Sequence, residues 1–205
     1  MNAQLDELLR RADVWRPDAR GATAHPHVAT GFTELDAQLA TDGWPSGALT
    51  ELLLDGEGIG ELRLLMPALA RLAQAGRWVV WVDPPYLPYA PALKFHGIDL
   101  SYVLWIRGAG GRESLWAAEQ ALRTPCCGAV LMWPDGATDR ALRRLQLAAE
   151  AGGSWGVLFR RAQTQSAPSP AALRLQLSPA PDGLFVSIRK CRGRAPGASV
   201  CIPLQ

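Results

Sequence analysis

The chain has 205 residues, 48% of them hydrophobic and 20% charged, with a formal net charge of +2. A charge that small excludes a polycation acting through its whole surface, and no uncharged apolar stretch approaches the ~18 residues a membrane span needs. The length suits one domain with a sizeable core. The expected boundaries are a helix and linker over 1–28 and one domain over 29–205. The opening MNAQLDELLRRADVW is charged and amphipathic, unlike a signal peptide, so a cytoplasmic protein without membrane contact is expected.

In chain order, Leu5, Leu8 and Leu9 share a helical face over 4–12, followed by a Pro/Gly/Ala/His linker to Ala29. Five apolar runs then read as strands buried on both faces: 47–54, 77–83, 101–106, 128–133 and 153–159. Helix patterns lie between them at 62–75, 88–95, 113–123 and 139–151. In the last, Leu142, Leu145 and Ala149 share one face and Arg140, Arg143 and Arg144 the other. Strand and helix alternating at this pace predict an α/β domain with a mostly parallel central sheet flanked by helices. After the polar loop QTQSAPSPA, the runs at 173–178, 183–190 and 199–204 predict antiparallel strands at the C-terminal end.

The four cysteines show no metal-ligand spacing and are expected to be reduced thiols; the histidines have no acidic partner nearby in sequence, and no metal is expected. All but two of the 21 basic residues are arginine, concentrated around Arg143 and Arg144, Arg160 and Arg161, and in Arg189, Lys190, Arg192 and Arg194.

The stretch LLLDGEGIGELRLL at 52–65 has the outline of a phosphate-binding turn, with a strand before it and a leucine-rich helix after it. In a P-loop, G-x-x-x-x-G-K-[ST], backbone amides cradle the phosphates, lysine neutralises their oxygens and Ser/Thr holds the magnesium. Aligned on Gly60, Asp55 stands at the first glycine's place, Gly56 and Gly58 lie between, Glu61 replaces the lysine and Leu62 the Ser/Thr. A carboxylate facing phosphate exchanges attraction for repulsion of roughly 4 kcal/mol per charge pair at 4 Å and an effective dielectric of 20. Pro67 is expected to kink the helix or shift its start beyond the glycines. No nucleotide or other cofactor is therefore expected.

The segment TGFTELDAQLATDGWPSGALTELLL (30–54) resembles the approach to the P-loop in the RecA core, and the resemblance runs with the RecA element order over roughly residues 28–204. The catalytic elements differ. VDPPY keeps Asp83 but has Pro84 and Pro85 where RecA has its glutamate, and AVLMWPD ends its strand in Trp133 with Asp135 displaced. A RecA-like core without ATPase residues, together with VWRP, GWPSGALTELL and GIGELRLLMPALA, resembles ImuA. That resemblance implies a non-enzymatic accessory protein of SOS-induced translesion synthesis. Its implied partners are an ImuB-type polymerase relative and an error-prone replicative-type polymerase, with RecA itself and DNA as further candidates. The alternative resemblance is to SulA, which shares the degenerate core and a GELRLL-like helix and implies an inhibitor that binds the tubulin-like division protein.

Two groups of residues are candidate contacts. Arg189, Lys190, Arg192 and Arg194 alternate with apolar side chains beside Gly193 and Gly197, so several could face one phosphate backbone, or simply guard a solvated sheet edge. Trp15 and Arg16 have the composition of an interface anchor. Trp78, Trp81, Trp105 and Trp133 fall in strands, where core packing is expected.

Overall fold

The computed structural model describes residues 27–108, 110–134 and 136–204. The expected N-terminal helix, Trp15 and Arg16, most of the 1–28 segment, and Asp135 lie outside the described residues. The ten strands are β1 (His27–Val28), β2 (Trp44–Pro45), β3 (Ala48–Leu54), β4 (Trp78–Val82), β5 (Val103–Ile106), β6 (Cys127–Met132), β7 (Trp155–Arg161), β8 (Leu173–Ala180), β9 (Gly183–Cys191) and β10 (Ser199–Pro203). The helices are α1 (Thr33–Asp36), α2 (Glu61–Gln74), α3 (Ala90–Phe95), α4 (Arg112–Arg123) and α5 (Asp139–Gly152).

Strands β3 to β10 form one eight-stranded sheet in the order β10-β9-β8-β3-β7-β6-β4-β5. From β8 to β5 all neighbours are parallel, and β9 runs against both β8 and β10. The fold is thus mixed α/β with a mostly parallel sheet flanked by helices. One of the three C-terminal strands departs from expectation: β8 pairs parallel with β3, so the parallel sheet extends one strand further before the hairpin begins.

Two cores lie on opposite faces of this sheet. On one face α2 packs Leu64, Leu65, Ala68, Leu69 and Leu72 over Leu52, Trp81, Leu131 and Val157. On the other, α4 and α5 pack Leu122, Leu142, Leu145 and Ala149 over Leu49, Val80, Val130 and Leu158. Alternation along each strand is what sends Leu49 one way and Leu52 the other. Pro67 does not displace the start of α2, which opens at Glu61 with Leu64 N–H bonded to the Gly60 carbonyl at 3.1 Å. The ring is accommodated within the helix because Gly31 approaches it so closely that a Cβ there would sit 2.5 Å from Pro67 Cβ.

Candidate functional site

Strand β3 is buried along its full length and delivers the chain to the exposed turn Asp55–Gly58 at the carboxyl edge of the sheet. This edge is where open parallel sheets form their ligand crevices. Gly58 and Gly60 have φ of +76° and +108°, a left-handed backbone that glycine adopts without strain. That path turns their amides inward, and the group they meet belongs to the chain itself. The N–H groups of Gly58 and Gly60 donate to the two carboxylate oxygens of Glu61 at 2.9 and 3.0 Å. Glu61 is buried in the first turn of α2, where the positive end of the helix dipole favours an anion. An acid at the lysine position therefore does more than repel phosphate: it takes the amides a phosphate would need. Leu62, at the Ser/Thr position, packs against the α2 core instead of facing the loop. Beside the loop, Gly60, Arg63, Asp182 and Leu204 line an open groove of about 590 Å³.

A second carboxylate lies at the end of β4. Asp83, at φ +44°, accepts the Gly108 N–H at 2.7 Å and the Ser114 hydroxyl, tying β4 to the chain after β5 and to the first turn of α4. Trp133, just beyond β6, is not an isolated strand residue but the middle of a stack, 5.9 Å from Trp81 and 4.3 Å from Phe159 between ring centroids. A cavity of about 140 Å³ separates Ser114 from Trp133.

The third carboxylate, Glu51, sits in the middle of β3 with no solvent exposure. Arg160 of β7 reaches it at 3.0 Å and Arg174 of β8 at 2.7 Å, and the Ser169 hydroxyl donates to it at 2.6 Å. Arg174 also donates to the carbonyls of Thr164, Gln165 and Ala167, so the polar loop after β7 is held down by this network. Arg160 thus belongs to the interior, not to a basic surface cluster. A glutamate interrupting the apolar run ALTELLL was the available signal, since a buried charge demands a partner.

The basic residues of the C-terminal strands do not converge. Arg189 is hydrogen-bonded to Gln176 at 2.9 Å, Lys190 donates to the Ser169 carbonyl at 2.8 Å, and Arg194 donates to the Ala37 carbonyl at 2.6 Å. Arg192 and Arg194 follow the end of β9 in an exposed turn. Burial, with the nearby charges of Arg192 and Arg174, pushes the Lys190 amine below its ordinary range. Arg144 likewise pairs with Glu119 of α4. Trp105 departs from the core expected for it: β5 is the sheet's edge, and its indole is 42% exposed.

The family model described as Cell division inhibitor SulA matches residues 47–156, from the turn before β3 to the start of β7 and so through the glycine loop, the Asp83 corner and both flanking helix pairs. The chain belongs to the SulA family. A cell division inhibitor SulA of Edwardsiella piscicida is 36% identical over 143 residues, covering 67% of this chain and 83% of that protein. One of Serratia proteamaculans is 27% identical over 124 residues, covering 60% and 74%. The crystal structure of SulA from Pseudomonas aeruginosa aligns with a TM-score of 0.46 at 24% identity, over 55% of this chain and 97% of that one.

Membership of this family overturns the ImuA resemblance and the translesion role drawn from it. The ImuB-type and replicative-type polymerase partners fall with it, as do RecA and DNA. The motifs that suggested ImuA explain the error. GWPSGALTELL and GIGELRLLMPALA make the turn, buried strand, glycine loop and helix of this core, so they specify packing and do not select a partner. The features that favoured ImuA over SulA were the long N-terminal segment, mostly outside the described residues, and basic C-terminal residues that are largely tied to carbonyls and side chains of the same chain. Among the described residues, no helix is long and apolar enough to cross a membrane.

Proposed function

We propose that this chain inhibits cell division during the response to DNA damage, by binding the tubulin-like division protein and without catalysing a reaction. The family match across residues 47–156 carries this reading. The glycine loop supports its non-catalytic part: with Glu61 seated on the amides of Gly58 and Gly60, the turn built like a phosphate cradle has no free donors where a phosphate would bind. The core is proposed to be of RecA type with a degenerate P-loop, a reading supported by the strand, glycine loop and helix at 48–74 and by the antiparallel hairpin following the parallel strands.

Binding to a protein is supported by the surface between β4 and α3. Tyr86, Leu87 and Tyr89 are 73%, 68% and 70% exposed, with Phe95 exposed at the end of α3. Aromatic side chains with apolar bodies and polar tips are enriched at protein interfaces. The test is induced expression in a rod-shaped bacterium without DNA damage. Filamentation is expected, together with a block to assembly of the purified tubulin-like protein. A Tyr86→Ala/Tyr89→Ala variant of unchanged stability should lose both effects. Normal division and unimpeded assembly with the wild-type chain would sink the reading.

A further inference from the structure

Strand β5 ends the sheet, and no described residue pairs with its outer side. Asp83 N–H donates to the Ile106 carbonyl at 3.0 Å, so the backbone groups of Ile106, and of Leu104 two residues before it, turn toward β4. Those of Val103 and Trp105 therefore turn outward. Val103 N–H is bonded to the Leu100 carbonyl, which leaves the Val103 carbonyl and both backbone groups of Trp105 aimed at solvent. The strand reads Val-Leu-Trp-Ile, with neither a charge nor a proline to guard it, and Leu104 is 45% exposed. An edge of this kind is a template for another strand. At the opposite edge, β10 carries Pro203, which has no N–H to donate.

We propose that β5 pairs antiparallel with β5 of a second copy of this chain, about a two-fold axis at Trp105. There Trp105 exchanges both backbone hydrogen bonds with its counterpart, and Arg107 N–H meets the Val103 carbonyl of the other copy. The two indoles, on the same face, become a cross-strand aromatic pair. Charge selects this direction. Asp99 precedes the strand and Arg107 follows it. Antiparallel pairing sets the basic end of each strand beside the acidic end of the other, whereas parallel pairing sets like beside like. The isologous contact also closes, while β5 on β10 of the next copy would propagate head to tail.

The experiment is the mass of the full chain by sedimentation equilibrium, with Trp105→Lys as the disrupting variant. In parallel, Trp105→Cys is oxidised in a Cys126→Ser/Cys201→Ser background. Opposed residues of a hydrogen-bonded antiparallel pair lie about 5.5 Å apart at Cα, within the span of a disulfide. A dimer is expected that Trp105→Lys weakens by roughly tenfold or more. Trp105→Cys should cross-link, and Leu147→Cys, on exposed α5, should not. If Trp105→Lys fails to fold, the cross-link decides. A monomer at every concentration, or a dimer indifferent to Trp105→Lys with no cross-link, overturns the proposal. Because these readouts are mass and cross-linking, a monomeric chain that still blocks division would reject this pairing and leave the division-inhibitor reading standing.

Discussion

The centre of β3 and the turn at its end each bury a glutamate, and they hold it in opposite ways. Glu51 is held by the side chains of Arg160 and Arg174, which come from strands far away in sequence. Glu61 is held by the amides of Gly58 and Gly60, within its own turn. The first arrangement balances one charge with two others, so removing any member leaves a buried ion exposed to the full desolvation penalty. The second balances a charge with backbone dipoles that persist whatever side chain replaces it. The same residue type therefore acts as a long-range strap in one place and as a local plug in the other.

That difference sets the order of effects in urea denaturation. Glu51→Gln leaves both guanidinium groups without an anion and is expected to destabilise the fold by about 3–5 kcal/mol; a loss no larger than that of Glu61→Gln would break the comparison. Glu61→Lys trades a bonded carboxylate for a cation at the helix start, with an expected loss of about 1.5–3 kcal/mol, most of it recovered in Glu61→Gln, which retains one acceptor. Asp83 is the intermediate case, held by one amide and one hydroxyl. Ser114→Ala should lower the urea midpoint by the equivalent of about 1 kcal/mol with an unchanged m-value.

Cys127 marks the limit in which no ion is formed. Burial, reinforced by the neighbouring Cys126 and opposed by Arg77, pushes its thiol from 9.0 up to about 12. Because the folded value is raised, the stability held by the neutral thiol is complete below pH 9.0 and is lost as pH rises toward about 12. Cys127→Ser should flatten that alkaline decline, as followed by circular dichroism, and in the wild type exposed Cys126 should alkylate well before buried Cys127.

Local pattern accounted for much of the architecture. The five strands of the parallel run and the helices between them fall within one or two residues of their expected bounds at nearly every end, because each apolar run and each 3.6-residue stripe is written contiguously in the chain. The exception is instructive: 101–106 reads as one strand, but Leu100–Tyr102 forms a 3₁₀ turn nucleated by the Asp99 carboxylate accepting Ser101 N–H. Neighbour identity was not legible. An apolar run states that a strand can be buried on both faces; it does not state whether another strand lies beside it. Trp105 is exposed for that reason, and Arg160 is interior for the converse one.

By itself, the sequence determined the α/β class, the strand and helix order, and the placing of an acid where a phosphate-binding turn would carry lysine. All of these depend on residues close together in the chain. Tertiary structure alone decided that Glu61 folds back onto its own glycine amides, that Arg160 and Arg174 converge on Glu51, and that β5 is left as an open edge. Each of these depends on which strands become neighbours and which way a side chain turns, and such contacts are set by the energy of the whole sheet instead of by any segment of it.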